Sequence, residues 1–522
     1  MERTTITDDE NKEMIKQFKQ ACKDKENGYK TVEILLNKGF DMNQDLDGLG
    51  NTPVIVSLFK KNPKIFSLLY ESGVEMNVQN NAGHTPLIIA SIVKKDTSEP
   101  NSQLFWRKRD FDKILEGMPQ SYLNAAVNIG DITALHFLTM FGYSNLIPPL
   151  LVKGADVNQK NASGQSPLYL AAENNYLYIV KLLLDAGADA NSVASNGYTA
   201  LHITAFNNQL KIVELLLGAG ATIDRKDNVG QTAFYKATTV GNLDIVKLLL
   251  DAGADVNTTI NNGSTALHSA SQNNMLDIVK FLLDNGINID KKNAMGQTAI
   301  YLAAELGNLD AVKLLLDAGA DAISVDNVGQ TLLHIAIINK NFEIVKLLLD
   351  KGVNPNVYDS IGLSPIFYAT SHTDSKMLKL LLDNGANIND PSNLDKGQWT
   401  PLHEAVYHYN YIILKFLLES GANYTIKDFN GQTPLAYAER RKNQVRDKFI
   451  DEHKKIDMCI DILDKYTDGL SSANVGASAG GTGASAGGKR RRKTKTRRLR
   501  KRHKRKTVKK RKTGRRTRRK RK

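Results

Sequence analysis

Apolar residues along this chain come in short bursts at helical spacing, and the bursts themselves recur. In GQTAIYLAAELGNLDAVKLLLDAGAD (296–321), Ile300, Ala303 and Ala304 fall on one side of a helix that Thr298 is placed to cap and Gly307 to end. Asn308 precedes a second helix with Val312, Leu315 and Leu316 at helical spacing, stopped at Gly319. Helices this short are marginal in water, so each pair must bury its apolar side against the next pair. The pattern predicts an all-α stack of helix-turn-helix units whose stability comes from nearest neighbours.

The stack has a strict register. An element that usually reads Gly-x-Thr/Ser-Pro/Ala-apolar places its glycine at Gly164, Gly197, Gly230, Gly263, Gly296, Gly329 and Gly362, an unbroken 33-residue period. It extends upstream through Gly50 and Gly83 and downstream to Gly431, with irregular copies at Thr133 and Thr400, for about twelve units. The interval from Thr85 to Thr133 is one period plus a 15-residue insertion that holds Trp106. Ser364 to Thr400 is one period plus three, the addition falling near Asn389-Asp390-Pro391.

Thr199-Ala200-Leu201-His202 and Thr265-Ala266-Leu267-His268, with Leu215-Leu216-Leu217-Gly218-Ala219-Gly220 and Leu248-Leu249-Leu250-Asp251-Ala252-Gly253, resemble the ankyrin repeat over roughly residues 30–440. The resemblance implies a solenoid of L-shaped units with β-hairpin fingers and a concave protein-binding face, and the chain holds no HExxH motif that would point to catalysis. It also implies that contact residues lie at the hairpin tips and along the first helices. Apolar residues at matching positions here are Tyr198, Phe206, Val240, Leu306 and Ile338, the candidate partner-binding set.

A second period lies inside the first. The residue after the apolar position of the element alternates His136, Tyr169, His202, Tyr235, His268, Tyr301, His334, Phe367, a 66-residue double repeat. Stacked helices lie about 8–10 Å apart, so histidines of alternate units stand roughly 20 Å apart, too far to share a metal. A packed, hydrogen-bonded role beside the turn is expected instead.

Charge divides the chain. Residues 489–522 hold 25 Lys/Arg in 34 positions and no Asp or Glu; removing them from the 70 Lys/Arg leaves 45 against 55 Asp/Glu, about −10 for residues 1–488. The tail is too charged to fold and must seek polyanions, with Lys489, Arg490, Arg491, Arg492, Lys493, Arg500, Lys501 and Arg502 as its leading cations. Its readings are a nuclear or nucleolar import signal, a nonspecific nucleic-acid arm, or a clamp on an acidic surface or anionic membrane. Its composition after a Gly-rich linker is similar in style to ankyrin proteins of giant DNA viruses. GASAGGK (483–489) has P-loop spacing, but Arg490 stands where Ser/Thr should be and no strand precedes it. Only Cys22 and Cys459 occur, and no apolar stretch reaches the length of a membrane span.

The expected organisation is an N-terminal capping region (1–48), ankyrin repeats (49–440, insertion about 93–120), a C-terminal capping helix (441–466), a Gly/Ala/Ser linker (467–488) and the basic disordered tail (489–522). The expected function is a monomeric, non-enzymatic scaffold, without cofactor, metal or small-molecule substrate. It binds an unidentified protein, and the tail engages nucleic acid or an import receptor. The location implied is intracellular, nuclear by preference, or a virion for a viral chain. A nucleic-acid packaging protein with the solenoid as spacer is the alternative.

Overall fold

The computed structural model describes residues 6–93, 106–371, 375–391, 397–444 and 450–473. The chain divides into two units, Met1–Cys459 and Ile460 onward. In the first, helices alternate in pairs along the sequence, and each first helix packs on its own partner and on the first helix of the next unit. The arrangement is an all-α repeat solenoid. The Gly/Ala/Ser segment from residue 474 and all eight named tail cations lie outside the described residues.

The unit at 296–321 shows how local chemistry builds the pair. Thr298 takes the extended backbone of an N-cap, though its hydroxyl makes no cap bond, and Ala299–Leu306 is helical. Gly307 ends that helix at φ 78°, left-handed backbone that glycine adopts without a Cβ penalty. The second helix, Leu309–Asp317, buries Ala311, Val312 and Leu315. Leu316, expected in the core, is only half-buried, because the face that meets the neighbouring helices is narrower than the run of leucines. Each fully buried Val or Leu contributes about 1.5–3 kcal/mol.

The fingers are turns rather than extended ladders. Among the described residues extended pairing is limited to isolated bridges such as Thr259 with Thr265 and Val325 with Thr331. In the finger at Gly230, Asp227 Oδ1 accepts from the N–H groups of Val229 (3.0 Å) and Gln231 (2.8 Å), and Asp227 N–H donates to the Gln231 carbonyl at 2.9 Å. Successive fingers are joined by one backbone bond each: Asn228 to Asn196, Asn261 to Val229, Ala294 to Asn262, Asn327 to Met295, Ser360 to Val328. A Cβ on Gly230 would meet Asn261 N at 2.7 Å, and its φ is +82°, so both conformation and close approach demand glycine.

The long loops carry a second ladder, of side chains. Asn158 Oδ1 accepts from Asp189 N–H at 2.8 Å, Asn191 Oδ1 from Thr222 N–H at 2.7 Å, and Asn257 Oδ1 from Asn288 N–H at 2.9 Å. These junctions thus satisfy backbone groups that the short helices and their loops leave open.

At the N-terminus, helices Asp8–Ala21 and Gly28–Asn37 pack together, the first begun by a capping box between Thr7 and Glu10. Within the insertion, Trp106 is 2% exposed and meets Phe66 edge-on at 5.4 Å, so it is a core residue. Lys108–Gly117 then supplies the helix that packs on Pro86–Ile92. Near the C-terminus, helix Pro434–Gln444 precedes a long helix, Ile450–Ala473.

Candidate protein-binding surface

The repeat histidines are consumed by the frame. His202 Nδ1 accepts from Thr199 N–H at 3.1 Å and lies 2.8 Å from Thr199 Oγ1. With Nδ1 accepting, the ring proton is on Nε2, which donates to the Gln231 carbonyl of the next unit at 3.1 Å. The same bond forward is made by His136 to Gln165, His268 to Gln297, His334 to Leu363 and His403 to Gln432. Burial lowers the pKa of all five, opposed by the accepting carbonyl. Protonation would also point an Nδ1–H at a backbone N–H.

The tyrosines of the alternate units bind differently. Tyr301 donates to Asp326 Oδ2 in the next finger at 2.9 Å, and burial is the first cause that raises its pKa. Asn242 Nδ2 reaches back to the carbonyls of Ala205 and Phe206, and Asn308 Nδ2 to those of Ser271 and Gln272. These amides close the ends of the preceding first helices.

Of the five candidate contact residues, Phe206 (48%), Val240 (37%) and Leu306 (56%) are exposed. Ile338 and Tyr198 are half-buried. Phe206 and Ile338 share one register, nine positions after the repeat glycine; Val240 and Leu306 sit one position later. The shift follows from helices Ala233–Val240 and Ala299–Leu306, one residue longer than their neighbours and closed by Gly241 and Gly307. Tyr198 is engaged rather than open. Its ring stacks on His202 at 5.8 Å, and Lys236 of the next unit lies 4.0 Å from its centroid. Lys236 Nζ also pairs with Asp227 at 3.0 Å and donates to Gln231 Oε1 and to the Tyr198 hydroxyl.

The structure adds residues that sequence reasoning missed. Val229, Met295, Val328 and Ile361 each stand directly before a repeat glycine and are exposed at the finger tips. The signal was available: an apolar residue beside the register glycine. Tyr407, exposed, belongs to the same surface with Trp399 half-buried beside it, but both were hidden by the three-residue shift that moves the unit at Thr400 out of phase. The exposed residues thus form two rows, one on the fingers and one at the ends of the first helices.

Among the described residues no group of three or more His, Cys, Asp or Glu is placed to hold a metal, and no helix is long and apolar enough to cross a membrane. What the surface offers is side-chain contact on a rigid repeating frame.

A repeat frame of this kind defines a class of binding scaffolds, and comparison with known proteins agrees with that reading. The family described as ankyrin repeats in three copies matches residues 18–97, 135–227, 221–293, 288–359 and 353–428. The chain belongs to the ankyrin-repeat family, whose members are protein–protein interaction scaffolds, typically without enzymatic activity. Alpha-latrocrustotoxin-Lt1a of Latrodectus tredecimguttatus is 28% identical over 148 residues, which is 28% of this chain and 9% of that protein. The matched stretch spans about a tenth of that relative's length.

Proposed function

We propose that the chain binds a protein partner along the two rows of exposed apolar residues, with Phe206, Val240 and Leu306 on one row and Val229, Met295, Val328 and Ile361 on the other. The observation that carries this is their recurrence at two places of the unit: directly before the glycine in the units at Gly230, Gly296, Gly329 and Gly362, and nine or ten positions after it in those at Gly197, Gly230, Gly296 and Gly329. Surface apolars scattered at random would not favour these two places of the unit. Tyr198 and Ile338 serve as the half-buried edges of these rows. A paired Phe206→Ser, Leu306→Ser variant should fold normally and lose a protein retained by the full chain from nuclease-treated extract at high salt. Unchanged retention would overturn this placement.

The basic run at 489–522 supports a second element of the proposal, an electrostatic arm led by Lys489, Arg490, Arg491, Arg492, Lys493, Arg500, Lys501 and Arg502. It would serve nuclear targeting or binding of nucleic acid. The support is its charge, 25 cations in 34 positions. Engagement of about eight phosphates would give log K a slope of roughly −7 against log salt. A duplex-binding titration showing a slope near zero would remove the nucleic-acid arm; a wild-type distribution in cells after deletion of 489–522 would remove the address.

A further inference from the structure

The second helices of successive units pack side by side and carry neither of the two exposed rows. Their second position follows a rule. In four consecutive units it is acidic, Asp244, Asp277, Asp310 and Glu343, and a lysine stands three positions further on. One such pair, Asp310 with Lys313, closes at 3.6 Å. An acid and a lysine one turn apart are neighbours on the helix surface, so their charges cancel locally.

Two units break the rule. Helix Leu177–Asp185 has Tyr178 in the place of the acid, so Lys181 lacks that neighbour; in helix Leu210–Gly218 the signs are exchanged, Lys211 first and Glu214 after it. Between these two helices opens a groove of about 340 Å³, lined by Leu177, Tyr178, Lys181, Lys211, Glu214 and Leu215. Tyr178 is 62% exposed and Leu177 38%, while Leu215 is half-buried. Two lysines against Glu214 give the lining a charge of +1. The matching positions on the helices at Leu243 and Leu276 sum to zero, Asp244 and Asp277 against Lys247 and Lys280, and residues 1–488 together carry about −10. Among the described residues neither Lys181 nor Lys211 makes an ion pair or donates a hydrogen bond.

We propose that this groove is a second docking surface, for a protein segment in which large apolar side chains are flanked by carboxylates. The apolar side chains lie against Leu177, Tyr178 and Leu215, and the carboxylates meet Lys181 and Lys211. The groove is open to solvent and at the small end for a cleft that engulfs a ligand, which suits a chain laid across it. The exposed ring beside two leucines supplies contact area, and the uncompensated ammonium groups select the charge of the segment. The surface is separate from the two rows proposed above and does not rest on them.

The full chain is titrated with three end-blocked tetrapeptides, Glu-Leu-Phe-Glu, Glu-Ser-Ser-Glu and Lys-Leu-Phe-Lys, at about 0.15 M salt, with binding followed by saturation-transfer NMR. The basic run at 489–522 meets only charge, so it attracts the two acidic peptides equally and the difference between them reports the groove. Glu-Leu-Phe-Glu should bind at least about fivefold more tightly than either of the others. Tyr178→Ser should remove most of that preference, and Lys181→Glu combined with Lys211→Glu should turn it toward Lys-Leu-Phe-Lys. All three positions are exposed, so the variants keep the fold. Equal binding of the two acidic peptides, or an unchanged preference in both variants, would overturn the groove. The Phe206→Ser, Leu306→Ser variant should bind Glu-Leu-Phe-Glu as wild type does; loss of that binding would place the peptide on the rows and equally overturn the groove. Undiminished partner capture by the same variant would overturn the rows and leave the groove standing.

Discussion

The histidine units and the tyrosine units of this array solve the same problem with different chemistry. A histidine unit reaches forward: His268 bonds the Gln297 carbonyl of the following finger. The tyrosine unit that follows reaches back: Asn308 closes the carbonyls of Ser271 and Gln272 at the end of the histidine unit's first helix. His202 with Gln231, and Asn242 with Ala205 and Phe206, repeat the arrangement one double repeat earlier. Junctions entered from a tyrosine unit differ in the forward bond, Thr239 with Ser269 hydroxyl to hydroxyl at 3.1 Å and Tyr301 with Asp326, while Asn341 still reaches back to the carbonyls of Ala304 and Glu305. The 66-residue period in the sequence is therefore an alternation in the forward bond, histidine to a finger carbonyl and then hydroxyl groups of the tyrosine unit.

The largest effect should come from breaking the one internal junction that, among the described residues, also buries an ion pair. Lys236→Met leaves Asp227 buried without its partner, and urea unfolding should show about 3–5 kcal/mol of lost stability. Lys236→Met combined with Asp227→Asn should recover part of that loss. A single-mutant loss under about 1 kcal/mol would mean that the pair is not held as described.

Next is the contrast itself. His268→Ala removes both the bond to Thr265 and the bond to Gln297, leaving buried groups open, and should cost about 2–4 kcal/mol. Tyr235→Phe in the neighbouring unit keeps the ring packing and should cost less than about 1 kcal/mol. Equal losses would erase the distinction between the two kinds of unit.

Acidity tests all histidine units at once. Their pKa values lie below the ordinary 6.5 in the folded chain, so the unfolded chain binds protons first. Their contribution is complete above about pH 6.5 and is lost as pH falls, at most about 1.4 kcal/mol per histidine per pH unit. Replacing His202 by Tyr should make the midpoint in urea less sensitive between about pH 6.5 and 5. At the other extreme, burial pushes the Tyr169 hydroxyl up to about 12. Its contribution holds below the usual 10 and is lost as pH rises toward 12, an alkaline loss opposite in sign to that of the repeat histidines.

The smallest effect on stability belongs to the exposed rows. Phe206→Ser and Leu306→Ser should each stay within about 0.5 kcal/mol of wild type, while partner capture falls. A large loss of stability would place these residues in the frame rather than on its surface.

Much of this was legible in the residues. The 33-residue spacing, the glycine at each finger and the alternation of His with Tyr are local patterns, and each has a local cause: a positive φ at Gly230, a cap between Thr199 and His202, a turn too short for any other residue. The apolar helix faces follow from 3.6-residue spacing in the same way, with Leu316 a position where a run of leucines was wider than the face it feeds.

Less legible was how exposed each surface residue is, because exposure depends on what the next unit places beside it. Tyr198 reads as an open aromatic until Lys236, in the next unit, covers it, and the insertion gives no sign of where Trp106 lies until Phe66 meets it. The ring cluster at Trp399 needs three elements brought together: the residue before Thr400, the helix that holds Tyr407, and Tyr437 from the next unit. Local periodicity by itself determined the repeats, their helices and their turns, since short-range sterics and hydrogen bonds act within one unit. Only the tertiary structure decided which side chains are spent across the junctions and which stay open to a partner, because burial and charge pairing are properties of neighbouring units and not of either one alone.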